Sequence, residues 1–187
     1  MAIGLQIALG ANSPWYQSAQ IQKIYPPYIS NNFKVEAIPV LAAKNILQDI
    51  APINRMPQDL LEQMIEAGKR QFILKKMLPT LNDALLFGYS ETQYKGAVEE
   101  VDNCWNYILK MNLTYSKDPT VIHNFLSEGP FSTYFGHEVP SNIGAYIGYQ
   151  IVTSWVKEQS TKGSVDFSAL LSKPAAQLFA ESKYHPY

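Results

Sequence analysis

The stretch "LLEQMIEAGKRQF", residues 60–72, decides how this chain is read. Leu61, Ile65, Gly68 and Phe72 recur at i, i+4, i+7 and i+11, the spacing of a helix face built to be buried. A glycine inside that face costs roughly 1 kcal/mol relative to alanine, so position 68 is expected to need the absence of a side chain. Glu66 lies beside the face, and three readings are open for it: a metal ligand, a salt-bridged surface acid, or the remnant of a lost site. Lys69 and Arg70 stand at i+3 and i+4, the spacing of weak surface pairs, so the residues alone favour a solvated acid.

Outward from this segment the pattern stays helical. Helix 58–77 ends before Pro79. Upstream, "VEAIPVLAAKNILQDI" (35–50) is a helix in which Pro39 is tolerable only in the first turn. "NSPWYQSAQIQKIYPPYI" starts a short helix with Ser13 as N-cap and Pro14 at the first position, stopping before Pro26-Pro27. "AIGLQIALG" (2–10) reads as a strand. Downstream, Ser90 opens a helix to about residue 111, with Tyr94, Val98, Val101, Trp105 and Leu109 as its buried spacing. Asp118 and Pro119 open a short helix that stops before Gly129. "PFSTYFGHEVP" is an aromatic loop, and Ser141 caps a long helix over "SNIGAYIGYQIVTSWVKEQS". Two short helices and an extended end complete the chain. The fold class expected is mainly α, with at most one or two short strands, in a single domain over 1–187.

The composition agrees with a folded domain. Of 187 residues, 47% are hydrophobic and 17% charged, which excludes a disordered chain. Fifteen basic residues against sixteen acidic ones leave a net charge of −1, and no basic stripe builds up, which argues against nucleic acid as partner. The lone cysteine, Cys104, cannot form an internal disulfide or a zinc cluster, and it leaves the redox compartment undetermined. The start "MAIGLQIALG" lacks a basic n-region and a cleavage site, so no signal peptide is read there, and no apolar run is long enough to span a bilayer. There is no internal repeat and no low-complexity tract.

The catalytic motifs are incomplete. His137-Glu138 begins a zinc-peptidase pattern, but the second histidine is replaced by Ser141 and Pro140 breaks the turn. His123 and His185 are isolated, and residues 1–122 contain no histidine. Neither a G-x-S-x-G elbow nor a phosphate-binding glycine loop occurs. "GAYIG" puts Gly144 and Gly148 on one helix face, the mark of another element packing closely there. Twelve tyrosines and three tryptophans read first as packing, with a sugar- or peptide-binding groove as the alternative. Trp155 and Tyr149 are core or groove-lining candidates.

Several segments, in order, resemble the gliding-motility-associated lipoproteins of the GldB type and their relatives in Bacteroidetes-like bacteria. They include "IGLQIALGANSPWY", "YPPYISNNF", "LLEQMIEAGKRQFILKKMLP", "GYSETQYKGAVEEVDNCWNYIL", "SEGPFST", "VPSNIGAYIGYQIVTSWVKEQ" and "SKYHPY", and they cover nearly the whole chain. That family is in turn similar to predicted zinc-dependent peptidases of zincin-like fold. There, one helix carries H-E-x-x-H and a later one supplies a glutamate followed by glycine as third ligand. The resemblance places Glu66-Ala67-Gly68 on that later helix. The earlier helix, 35–50, holds no imidazole, and one carboxylate does not retain a catalytic zinc ion, which needs about three protein ligands. The resemblance therefore implies a vestigial ligand position at Glu66, held by Lys69, Arg70 or a buried partner. It also implies that Gly68 is small because helices 35–50 and 58–77 cross there.

The function expected on this basis is non-catalytic: a degenerate peptidase-like pseudoenzyme with no cofactor and no metal. It would bind an envelope protein, a peptide or a glycan, in gliding motility or the linked secretion apparatus. The cleft is expected between helices 35–50, 58–77 and 142–158 with the aromatic loop at its rim, and Glu66, Lys69, Tyr149 and Gln150 are the expected binding residues. A divergent metal-dependent hydrolase using His137, Glu138 and Glu66 is the alternative. The resemblance implies a periplasmic, cell-envelope setting, with membrane anchoring only through a lipidated N-terminus. The chain is expected to be either the C-terminal portion of a longer lipoprotein or a soluble relative.

Overall fold

Side-chain caps set the helix starts. Ser13, Asp59, Asn82, Ser90 and Asp118 each turn an oxygen onto a backbone N–H of the following turn, at 3.4, 2.9, 3.1, 3.2 and 2.8 Å. At Ser90 the bond is reciprocal, because Gln93 reaches back to the Ser90 N–H at 2.9 Å. The computed structural model describes residues 13–30, 32–53, 58–160 and 166–185. The strand expected at 2–10 lies outside the described residues.

The helices are α1 (Pro14–Gln17), α2 (Ala19–Gln22), α3 (Pro27–Ser30), α4 (Ile38–Ile50), α5 (Leu60–Met77), α6 (Asp83–Phe87), α7 (Glu91–Lys110), α8 (Pro119–Leu126), α9 (Ile143–Ser160), α10 (Phe167–Ser172) and α11 (Ala175–Ser182). A 3-10 turn, Val35–Ala37, leads into α4, so Pro39 falls in the first turn where its missing N–H costs nothing. Among the described residues there is no strand, only an isolated bridge between Ser132 and Gly136. The mainly helical class expected from periodicity is the one observed.

Two expectations are corrected. Helix α9 starts at Ile143, and the Ser141 hydroxyl donates to the carbonyl of Ser127 at 2.9 Å instead of capping it. In α7 the buried stripe is rotated toward its small residues: Gly96, Ala97, Cys104, Trp105 and Ile108 face the core, while Val98 and Leu109 are exposed. The aromatic loop explains the rotation. A Cβ on Gly96 would stand 2.1 Å from the Glu138 carbonyl oxygen, so the loop lies directly on the α7 backbone where a larger side chain could not go.

Helix α5 is the centre of the molecule and packs against α4, α6, α8, α9, α10 and α11. Its contact with α9 is backbone on backbone. A Cβ on Gly148 would fall 1.7 Å from the Met64 carbonyl oxygen, and one on Gly68 would fall 2.1 Å from the Gly148 carbonyl carbon. The need for smallness at Gly68 and the smooth glycine face of "GAYIG" are thus two sides of one crossing. The partner is corrected: α9 crosses at Gly68, and α4 does not. Ile65, Ile147, Ile151 and Trp105 pack in the core around it.

Candidate functional site

Lys69 lies on the α5 face opposite to solvent and is only 1% exposed. A buried ammonium is tolerable only when its protons are all bonded. Three acceptors meet it: Glu66 Oε1 at 2.5 Å, the Lys173 carbonyl at 2.7 Å and the Leu171 carbonyl at 3.3 Å. The two carbonyls close the C-terminal end of α10, where a cation also meets the favourable end of the helix dipole. Arg70, the next residue, does the same for α4: its Nη2 donates to the Ala51 carbonyl at 2.7 Å, just past that helix. Two consecutive basic residues on α5 therefore tie down two different helix ends.

Between these ties is a cavity of about 410 Å³, lined by 50–53 at the end of α4, by Glu62, Glu66, Lys69 and Arg70 of α5, and by 171–175. Its rim carries the exposed apolar side chains of Ile50 and Ile53, and its floor is the Glu66–Lys69 pair. The third wall is braced from behind. Lys173 donates to Glu181 Oε1 at 2.8 Å and lies over the Trp155 ring, 5.8 Å from its centroid, while the Trp155 indole N–H reaches Glu181 Oε2 at 2.9 Å. The bond from Lys173, then that from Trp155, pulls the Glu181 carboxyl down to about 2.

Of the four residues singled out in the sequence, Glu66 and Lys69 share this cavity. Tyr149 and Gln150 are elsewhere. The Tyr149 ring packs against Phe72, Phe87 and Tyr146 at centroid distances of 6.4, 5.3 and 6.3 Å, and Gln150 hydrogen-bonds Tyr146. Helix 142–158 and the aromatic loop contribute no wall; residues 171–175 take their place. Sequence reasoning missed this wall because it acts through main-chain carbonyls, which leave no mark in residue type. Two adjacent basic residues beside a buried stripe were the signal available.

The donor set does not fit a zinc ion. The Glu66 carboxylate already holds an internal cation, and among the described residues no three His, Cys, Asp or Glu side chains come together. His137 packs on Phe131 at a ring-centroid distance of 3.8 Å, in the loop that lies on α7, and the His123 Nδ1 is 2.8 Å from the Ser127 hydroxyl. Neither lines the Glu66 cavity. Burial pushes the Cys104 thiol up to about 12, so it is a core side chain and not a nucleophile.

These features define a helical domain with a polar-floored cavity beside a rigid glycine crossing. The chain belongs to the family of the gliding motility protein GldB, whose profile matches residues 1–186. No curated protein and no solved structure matches it. Among the described residues, no helix is long and apolar enough to cross a membrane.

Proposed function

We propose that the chain is a non-catalytic binding protein of the cell envelope that receives an extended segment of a protein partner in the Glu66 cavity, in gliding motility or its secretion machinery. The observation that carries this reading is the position of Lys69. Its ammonium sits on the carboxylate that a peptidase of the zincin type would give to its metal, so Glu66 is committed to holding α10 in place. A second cation beside it would meet like charge at close range. The cavity volume falls within the range of about 300–1,000 Å³ usual for ligand sites. Its apolar rim and main-chain wall suit a peptide better than a sugar, because a peptide brings both apolar side chains and main-chain hydrogen-bonding groups. The family relation supports the envelope setting, and the scaffold would be a peptidase-like one without the chemistry.

The test fills the cavity from its exposed wall. Ser172 is at the surface, and its hydroxyl donates to the Ser168 carbonyl one turn earlier in its own helix, at 2.8 Å. Ser172→Trp in a gliding host is expected to abolish colony spreading while the purified variant keeps its melting temperature. Unchanged spreading would overturn the reading. So would stoichiometric zinc that is lost in Glu66→Ala, together with peptide cleavage that a chelator stops.

A further inference from the structure

Helix α4 buries Val40, Ala43 and Leu47 against the body, yet its outer face is also apolar. Val35, Ile38, Ala42, Ile46, Ile50 and Ile53 are all exposed, Val35 at 71%, Ile46 at 51% and Ile50 at 73%. Scattered apolar residues on a surface are ordinary, but a row along a helix (Ile38, Ala42, Ile46, Ile50), extended by one residue from the segment on either side, is not. The intervals along this stripe are 3, 4, 4, 4 and 3 residues, so it reads the same from either end.

That symmetry names the occupant. A two-fold interface brings the same patch of both subunits together in opposite directions, so the patch must be complementary to its own reverse. We propose that the outer face of α4 is a self-association surface, on which a second copy of this chain packs antiparallel about an axis between Ala42 and Ile46. In that register Ala42 meets Ile46, Ile38 meets Ile50, and Val35 meets Ile53 of the other copy. The small Ala42 at the centre permits close approach. The row of Ile38, Ala42, Ile46 and Ile50 packs lengthwise against its counterpart with the axes about 20° from antiparallel, the helix-packing class that keeps long contacts together.

The charges agree with this pairing. Asp49 falls opposite Pro39 and Glu36 opposite Pro52, so no acid meets an acid. Lys44, level with the axis, is exposed but lies off the stripe, where it lines a second cavity with Glu128. The exposed apolar side chains offer at most on the order of 500 Å² per copy, about 1,000 Å² in total, which puts the pair among weak, transient interfaces. The association is accordingly weak and concentration-dependent. Because Ile50 and Ile53 also line the Glu66 cavity, pairing would bring Ile38 and Val35 of the second copy to its rim.

The inference does not depend on what the cavity binds, and its deciding variant, at Ile46, lies outside the cavity lining. Analytical ultracentrifugation of the full chain across the micromolar range is expected to show a monomer–dimer equilibrium. Ile46→Asp should weaken it at least ten-fold (about 1.4 kcal/mol) without lowering the melting temperature. Mixed Ile38→Cys and Ile50→Cys chains should form a disulfide, while neither variant links to itself; Cys104 is buried and does not compete. A chain that stays monomeric at all concentrations, a dimer indifferent to Ile46→Asp, or linkage of Ile38→Cys to itself would overturn the proposal. A monomer in which Ile46 is protected from hydroxyl-radical labelling would overturn it as well, since another part of the same chain would then cover the stripe.

Discussion

The two sides of α5 are built on opposite principles. Toward α9 the backbones touch, with Gly68 and Gly148 removing every atom that could keep them apart. Toward α4 and α10 the helix is held at arm's length by the long side chains of Lys69 and Arg70. A backbone contact has one geometry, whereas a tie through a flexible side chain tolerates adjustment, and the cavity of about 410 Å³ lies on the second side. The site therefore belongs to the side where the fold can give way.

The sharpest way to break this contrast is Gly148→Ala. The new methyl group would overlap the Met64 carbonyl, and no rotamer relieves a clash with backbone. The expected outcome is loss of the fold, or destabilisation of at least about 4 kcal/mol by urea denaturation. Lys69→Met comes next. It leaves Glu66 without its cation and two helix-end carbonyls without a donor, for a loss of about 3 kcal/mol in the same measurement. Arg70→Met removes one bond to a helix end and should cost only about 1 kcal/mol, with faster hydrogen exchange confined to 47–53. An equal loss for Gly148→Ala and Arg70→Met would show that the two sides do not differ.

The smallest effect concerns acid. Because the folded-state value for Glu181 lies below its ordinary 4.5, at about 2, its contribution to stability is present above 4.5 and is lost as the pH falls from 4.5 to about 2. Glu181→Gln is expected to flatten the pH dependence of the denaturation midpoint in that window, and near neutral pH to lower the midpoint without changing its slope. Persistence of the full acid slope in the variant would assign it to other carboxylates.

Much of the framework was legible in the sequence because it is local. Ser13, Ser90 and Asp118 declare helix starts by their own chemistry, and the glycine in "IEAGK" declared a close approach. What crosses there could not be read, since Gly68 specifies the absence of atoms and says nothing about which helix, 38–50 or 143–160, comes to fill the space. The α7 stripe was misread for a related reason: Val98 and Leu109 are more apolar than Gly96, Ala97 and Cys104, but only the small residues admit the loop backbone. Within the site, Glu66 and Lys69 were visible as a helical pair. That Lys69 is buried, and that Arg70 parts from it to reach Ala51, depends on segments about twenty and one hundred residues away, as the separations of 19, 102 and 104 positions show.

Those last separations bear on how the polypeptide matures. The ammonium on α5 finds two of its three acceptors only after residues 171 and 173 have been made, so during synthesis it has nowhere dry to go. Until those residues are in place, the central helix carries a hydrated cation on that side. Closure of the cavity floor thus joins α5 to α10 across about one hundred residues, and a chain cut before residue 171 would carry an open, wettable seam there.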